Sequence, residues 1–360
     1  MTTENRPSSQ PAGLPSPGTR PVTAGSASAA VPREAAGSDL LACPDCGTPL
    51  LADPDKWSCP GCRTSGPIMD GSPHFVDEFP CSGGLSPQEM QHVNYMAASV
   101  GWQKALAEST STDVQRLAKS AMNTGTANWQ WLLRLPPASR VLDVGAGMGA
   151  DSHGLALQYR EIIALEPDLE RVRFLQHRFT EEGLTNIKIV RTSATRLPFA
   201  ADSFDLIMMK GPIERVAADG RGDRHVLSDI ICGLWRVLRP GGFFCLGVDN
   251  RFAITRLLGR MRRGKIEKGP QYLCSPRGYL KLLTEAGFTA PQCYSALPSY
   301  DEPRFLVPFN RRVYSYYVRN STPMRQAGIR RLAQELLLRS GILQHLEQSL
   351  LFVAHKSQEE

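Results

Sequence analysis

The stretch Arg140-Val-Leu-Asp-Val-Gly-Ala-Gly-Met-Gly149 decides the reading of this chain, because a short apolar run there ends in three glycines spaced for a tight strand-to-helix turn. Glycine accepts positive φ and lets the backbone approach a ligand closely. The helix expected next, over residues 151–159, aims unpaired N–H groups at whatever binds. The stretch therefore reads as a nucleotide pocket, and its spacing leaves two kinds open. Gly145-x-Gly147-x-x-Ala150 also fits the dinucleotide fingerprint, with Glu166, after the apolar run Glu161-Ile-Ile-Ala-Leu165, where that fold keeps its ribose-binding acid. Asp143 and the text further along separate the two.

Downstream, apolar runs at 141–144, 162–165, 187–190, 204–209 and 243–248 read as strands, separated by helical stretches near 151–159, 168–182 and 225–238. This alternation predicts a parallel sheet with helices on both faces and ligands at the carboxyl ends of its strands. Ser275-Pro276 offers an N-cap and a proline at N1 for a helix ending before Gly287, and residues 349–355 read as a last strand.

Upstream, between positions 85 and 135, Met90, Val93, Met96, Ala97 and Val100 recur at helical intervals, as do Trp129, Leu132 and Leu133. Such spacing is ordinary core packing; a lid over the pocket, with Tyr95 or Trp102 touching ligand, is the functional alternative. Pro136-Pro137 ends the helix before the first strand. Further back, Cys43-Pro-Asp-Cys46 and Cys59-Pro-Gly-Cys62 set two C-x-x-C knuckles with twelve residues between them. Two hairpin turns at that spacing can present four thiolates tetrahedrally to Zn²⁺, and a ribbon this small needs the metal to hold it. A redox role would call for a surrounding βαβ pattern, which is missing. The other five cysteines, 81, 232, 245, 274 and 293, read as small buried hydrophobes. The first 38 residues are Pro, Ser, Ala, Gly and Thr with almost no large apolar side chain. They are expected to form a disordered, solubilising tail, with a partner-binding arm as the alternative.

The 360 residues suffice for roughly two domains plus tails. A net charge of +6 permits an anionic partner without requiring one. Nine cysteines, an odd number with four in close pairs, fit metal ligation in a reducing compartment better than a disulfide framework. With no apolar leader and no run of about eighteen apolar residues, the expectation is a soluble cytoplasmic protein.

Two resemblances follow. Leu41-Ala-Cys-Pro-Asp-Cys-Gly-Thr-Pro-Leu50, Trp57-Ser-Cys-Pro-Gly-Cys62 and Pro67-Ile-Met-Asp-Gly-Ser-Pro-His-Phe75 resemble the small zinc-ribbon protein that activates tRNA, rRNA and release-factor methyltransferases. In that family the ribbon stabilises and covers a methyltransferase and performs no chemistry. Residues 140 to 295, with 349 to 356, resemble class I S-adenosylmethionine-dependent methyltransferases. The resemblance rests on five landmarks in order: Val141-Leu-Asp-Val-Gly-Ala-Gly-Met-Gly149, Glu166, Ala194-Thr-Arg-Leu-Pro-Phe199, Asp202-Ser-Phe-Asp-Leu-Ile207 and Leu234-Trp-Arg-Val-Leu-Arg-Pro-Gly-Gly242. It implies an α/β fold, a doubly wound, seven-stranded Rossmann-like sheet preceded by the zinc ribbon. The expected organisation is a tail over 1–38, a ribbon over 39–80, a helical linker or lid over 81–137, and a methyltransferase domain over 138–360 with basic insertions at 250–273 and 300–345.

The same resemblance implies that Asp143 and the loop Gly145, Ala146, Gly147 and Gly149 hold the methionine part of S-adenosylmethionine. Glu166 and Pro167 would lie at the ribose, Ser193 and Ala194 beside the adenine, and Lys210 would complete the donor site. Ser193 stands where the family commonly has an acid. Acceptors should sit above the fourth and fifth strands, where Lys210, Glu214 and Arg215, then Asp249, Asn250 and Arg251 occur; Glu214 and Asp249 are the candidates for base or acceptor-positioning group. His153 and His225 read as surface residues. Where many amino methyltransferases carry Asn/Asp-Pro-Pro-aromatic, this chain has Lys210-Gly-Pro-Ile. Between Arg251 and Lys268 there are seven basic residues to one acid, and a second basic run, 304–331, is interleaved with Phe305, Phe309, Tyr314, Tyr316 and Tyr317. Both suit an anionic acceptor, RNA, a membrane-surface sugar lipid, or plain solvation.

The reading that best fits these features is a methyltransferase acting on a small-molecule or glycan acceptor, and Asp249-Asn-Arg-Phe252, the segment Tyr279 to Phe288 and Ala296-Leu-Pro-Ser-Tyr300 resemble bacterial enzymes of that kind. An RNA methyltransferase gripping rRNA or tRNA with its ribbon and basic loops, and a non-catalytic S-adenosylmethionine-binding partner protein, are the alternatives.

Overall fold

A computed structural model describes residues 40–76, 85–123, 125–211, 224–254, 273–321, 336 and 338–358. The chain divides into two units, Met1–Arg33 and Glu34–Glu360. The first unit, which holds most of the expected tail, lies outside the described residues, as do Cys81, Glu214, Arg215, most of the basic insertion expected at 250–273, and residues 322–335 and 337 of the one expected at 300–345.

The second unit begins with a four-stranded antiparallel ribbon, β1 (Leu51–Ala52), β2 (Lys56–Ser58), β3 (Ser65–Met69) and β4 (Ser72–Pro73). Helices α1 (Pro87–Val100), α2 (Trp102–Ala107) and α3 (Thr112–Ala121) follow, then a 3₁₀ turn at Asn128–Leu132. Alternation proper runs through β5 (Arg140–Val144), α4 (Ala150–Ala156), β6 (Glu161–Leu165), α5 (Leu169–Glu181), β7 (Ile187–Val190), β8 (Phe204–Lys210), α6 (Arg224–Val237) and β9 (Leu238–Asp249). It closes with α7 (Pro276–Glu285), β10 (Thr289–Pro298), β11 (Pro303–Pro308), α8 (Arg311–Ser321), α9 (Ile342–His345) and β12 (Ser349–His355).

Local chemistry sets several boundaries. Ser86 caps α1 through a capping box with Glu89, and Asp168 caps α5 by accepting from the Arg171 amide at 3.0 Å. Ser275 caps α7, with Pro276 as its first residue, as the sequence predicts.

The main sheet has eight strands in the order β11-β10-β12-β9-β8-β5-β6-β7. The expected seven-stranded parallel sheet is thus corrected on two counts. Strands β5 to β9 pair in parallel, but β12 runs antiparallel to both β9 and β10, and β11 adds an antiparallel edge. The extra strand lies at the start of the stretch expected to be a basic insertion. Its exposed Arg304 and Phe305 hid it, because an edge strand tolerates polar, solvent-facing positions that a central strand does not.

The central strands are buried on both faces, so they read as continuous apolar runs. Helices α4 and α5 pack on one face with Trp129, against Val141, Ile162 and Leu206. On the other face lie α6 and α7, and beside them the ribbon. The crossover from β7 to β8, residues 191–203, contains no helix. Leu41, Trp57 and Phe75 of the ribbon belong to the same core as Val190, Leu197 and Phe199, so the ribbon covers that part of the sheet. Backbone bonds join the two: Ala42 N–H donates to Pro198 O at 3.0 Å, Phe75 N–H to Arg191 O at 2.9 Å, and Arg191 N–H to Pro73 O at 2.9 Å.

Helices α1 to α3 form a small cluster on α5 and Met148. Trp102 is buried edge-on to Phe174, ring centres 6.1 Å apart, with the Arg178 guanidinium 4.3 Å from its ring centre. Tyr95 is exposed. The segment around Trp129 is 3₁₀ rather than α-helical, which turns Leu132 to solvent while Trp129 and Leu133 stay buried. Among the remaining cysteines Cys245 and Cys293 are buried, whereas Cys232, expected in the core, is exposed on α6. No helix among the described residues is long and apolar enough to cross a membrane.

Candidate active site

The glycine loop after β5 has the backbone its sequence demands. Gly145, Gly147 and Gly149 have φ of 79°, 57° and 80°, which L side chains rarely adopt. The reasons for each glycine differ. A Cβ on Gly145 would meet nothing within 4 Å, and one on Gly147 only the Gly145 carbonyl at 3.8 Å, so both border open space. A Cβ on Gly149 would stand 2.7 Å from Leu175 and 2.8 Å from Phe179. That glycine lets α4 pack on α5.

Two buried carboxylates flank the loop. Glu166, 2% exposed, accepts from the Gly147 amide at 2.9 Å and the Asp168 amide at 3.1 Å, and burial raises its carboxyl. A carboxylate has about four acceptor positions, so two remain for ribose-type hydroxyls. Asp143 accepts from the Ser152 hydroxyl at 2.5 Å. Burial first, then the neighbouring charge of Asp151, pushes its carboxyl up to about 7; the Ser152 bond and Lys210 oppose the rise. A loop open in front of two glycines, with a carboxylate on either side, fits a donor that carries both hydroxyls and an ammonium group.

The loop expected beside an adenine follows β7. Ala194 is buried, and Ser193 Oγ accepts from the Thr195 hydroxyl at 3.0 Å. The Pro167 carbonyl accepts from Arg191 Nε at 3.1 Å, which ties the ribose loop to this one. Ala146 is buried in the sheet core.

At the end of β8, Lys210 turns inward: its ammonium lies 2.7 Å from the Asp151 carboxylate and donates to the Thr126 carbonyl at 2.9 Å, with the side chain 3% exposed. Asp249 ends β9 half-buried, opposite Ser349. Asn250 is fully buried and donates to the carbonyls of His345 and Glu347, which gives it a structural task. Arg251 is exposed, and Glu214 and Arg215 are outside the described residues. His225 is exposed as expected, whereas His153 is half-buried, 2.9 Å from Glu182.

Sequence reasoning missed Asp151, Thr126 and Asp301 around this lysine. Asp301 is exposed by area, yet the burial of its carboxyl raises it, with Asp151 and Asp249 adding to the rise and Lys210 opposing it. Asp151 had a signal, an acid in the first turn of the expected helix; Thr126 and Asp301 had none.

In the ribbon, the sulfurs of Cys43, Cys46, Cys59 and Cys62 all lie within 4.8 Å of one another. Cys43 and Cys62 are 3.5 Å apart and Cys46 and Cys59 3.4 Å. The hydroxyls of Thr48 and Thr64 stand 3.3 Å from Cys46 Sγ and 3.0 Å from Cys62 Sγ, where they can donate to thiolates. Four converging sulfurs with hydroxyl donors behind them can hold a tetrahedral thiophilic ion.

With this geometry in view, residues 142–246 match the family described as "Methyltransferase domain". That match favours the methyltransferase reading of the glycine loop over the dinucleotide one. Among curated proteins, the chain is 33% identical over 114 residues to an uncharacterised methyltransferase of Bacillus subtilis, covering 31% of this chain and 40% of that one. It is 26% identical over 187 residues to ribosomal RNA small subunit methyltransferase G of Cellvibrio japonicus, covering 50% and 80%. A tRNA (guanine-N(7)-)-methyltransferase of Nitrosomonas eutropha is 27% identical over 117 residues, and the chain spans 52% of its length. The crystal structure of the Bacillus subtilis protein superposes with a TM-score of 0.42 at 18% identity, covering 65% of this chain and 99% of that one.

Proposed function

We propose that this chain transfers a methyl group from S-adenosylmethionine to a small-molecule or glycan acceptor, and that its ribbon carries one structural Zn²⁺. The observation that carries the donor half is the loop in which Gly145 and Gly147 border open space between the buried carboxylates Asp143 and Glu166. In this reading Glu166 accepts from the ribose hydroxyls with Pro167 beside it, Asp143 and the loop from Gly145 to Gly149 hold the methionine part, and Ser193 and Ala194 flank the adenine. Lys210 fixes the floor through Asp151. When bound, the donor supplies a methyl group already activated on a positively charged sulfur.

The protein's own work is then to align the acceptor and exclude water. For a hydroxyl acceptor a base is needed as the oxygen attacks, and in this reading Asp249, half-buried at the end of β9, takes that proton. Glu214, beyond the described residues, is the other candidate. Zinc would sit among Cys43, Cys46, Cys59 and Cys62 and act on folding alone.

The RNA reading draws on the names of the Cellvibrio and Nitrosomonas relatives and on α8, where Arg311, Arg312, Tyr316 and Arg319 are exposed. Incubating the protein with isotope-labelled donor and a cell extract separates the readings. Label in the metabolite or glycan fraction supports the proposal, label in RNA replaces it, and donor binding without any labelled product favours a non-catalytic partner.

A further inference from the structure

Between the segment that precedes β5 and the edge strand β11 lies an open cleft of 540 Å³. We propose that this cleft holds a hydroxyl-rich, sugar-like ring of the methyl acceptor. The inference rests on the methyltransferase reading above and narrows it to a substrate class.

The walls have a mixed chemistry. Trp131 presents an indole that is 72% exposed, a flat apolar face on the cleft, which Leu306 also lines. Around it stand the amides of Asn123 and Asn128, the carboxylate of Glu302 and the guanidinium of Arg304. Each amide both donates and accepts, Glu302 only accepts and Arg304 only donates. A sugar ring matches this set: its C–H face lies flat on an indole, and its neighbouring hydroxyls each donate and accept.

Competing ligands match less well. Single-stranded nucleic acid is held by a track of cations along its phosphates. Among the residues that line the cleft only Arg304 is cationic, and Glu302 lies 3.4 Å from it. A purely apolar ligand would cover the polar groups of Asn123, Asn128, Glu302 and Arg304 and offer them no hydrogen bonds in place of water. The volume falls within the roughly 300–1,000 Å³ of small-molecule sites.

The position ties the cleft to the donor loop. Thr126 lies between Asn123 and Asn128, and its carbonyl accepts from Lys210, which pairs with Asp151 in the first turn after Gly149. On the other wall the turn before β11 brings Tyr300 against β9, 3.1 Å from where a Cβ on Gly247 would stand. Both walls are therefore anchored at the end of the sheet where the carboxylates gather.

The test uses the full-length protein on an array of immobilised glycans, followed by calorimetry with the free form of any glycan retained. S-adenosylhomocysteine is titrated in parallel as a measure of the donor site. The expected result is a retained glycan whose affinity falls at least ~10-fold in Trp131→Ala and in Arg304→Ala, while S-adenosylhomocysteine affinity stays within ~2-fold in both. Both side chains are exposed, so both variants should fold. Retention of no glycan by a protein that binds S-adenosylhomocysteine overturns the inference and spares the methyltransferase reading. A glycan bound equally well by Trp131→Ala overturns it too, as does RNA binding that Trp131→Ala weakens. Loss of S-adenosylhomocysteine binding in the unaltered protein removes the donor reading and this inference with it.

Discussion

The ammonium of Lys210, at the end of β8, lies 2.7 Å from the carboxylate of Asp151 in the first turn of α4, and the lysine side chain is almost wholly buried. This pair joins the fourth strand of the domain to the helix that follows the glycine loop. Its two members act oppositely on the Asp143 carboxyl, which Asp151 raises and Lys210 lowers. Removing one partner of a buried pair leaves the other uncompensated, at a typical cost of ~3–5 kcal/mol. Asp151 is only partly buried, so Lys210→Met should cost somewhat less, on the order of 3 kcal/mol, in urea denaturation. An unchanged midpoint would show that the pair contributes nothing net.

Glu166 holds the Gly147 and Asp168 amides and has acceptor capacity to spare. Hydrogen bonds to a charged group contribute ~1.5–3 kcal/mol each, so Glu166→Ala should weaken donor binding by at least ~10-fold in calorimetry. Asp249→Asn should leave that affinity nearly intact and lower turnover. Donor affinity unaltered in Glu166→Ala would remove the cofactor assignment.

The pH dependence follows from Asp143. Its carboxyl is pushed up to about 7 from 3.8 by burial and by Asp151. With the folded pKa above the unfolded one, its contribution to stability is complete below the unfolded value and is lost as pH rises through the folded value. The free protein should therefore lose stability between about pH 4 and about pH 7, and Asp143→Asn should flatten that slope. A donor ammonium favours the ionised carboxyl, so donor affinity should rise over the upper part of this range. Thermal melts and calorimetry across the range check both trends, and a wild-type profile parallel to that of Asp143→Asn would contradict them.

The two glycines at the ends of the loop should respond differently to alanine. Gly145→Ala forces a residue into positive φ with open space around it, a strain of ~1–2 kcal/mol that should leave the fold intact and weaken donor binding. Gly149→Ala adds contacts of 2.7 Å and 2.8 Å with Leu175 and Phe179 to the same strain, and overpacking costs a further ~1–3 kcal/mol. Melting temperature should drop clearly more for Gly149→Ala than for Gly145→Ala.

The ribbon makes backbone bonds to Arg191 and Pro198, and Arg196 donates to the Phe75 carbonyl at 2.9 Å and to Asp45 at 2.7 Å. Loss of the metal, by chelation or by Cys59→Ser, should therefore loosen the crossover that contains Ser193 and Ala194 as well as the ribbon itself. Zinc content should fall from one per chain, the melting temperature should drop, and donor affinity should fall by ~3-fold or more, because the crossover needs ordering before it binds. Protein that carries no stoichiometric zinc, or whose donor affinity ignores its removal, would refute this coupling.

Much of the fold was legible in the sequence because it rests on local rules. Continuous apolar runs marked β5 to β8 and the latter half of β9, Asp168 and Ser275 capped their helices, and three glycines required the loop that positive φ confirms. These features need only a residue and its near neighbours along the chain. Tertiary structure decided what depends on partners far apart in sequence. Nothing in Lys210, Asp151 or Thr126 read alone says that they meet, and the segment from 289 to 308 becomes a hairpin at the sheet edge because β12 offers β10 an open side. The ribbon was legible from the spacing of Cys43, Cys46, Cys59 and Cys62. Its place over the helix-free crossover was not, because that place is set by which face of the sheet is left uncovered once every other element has packed.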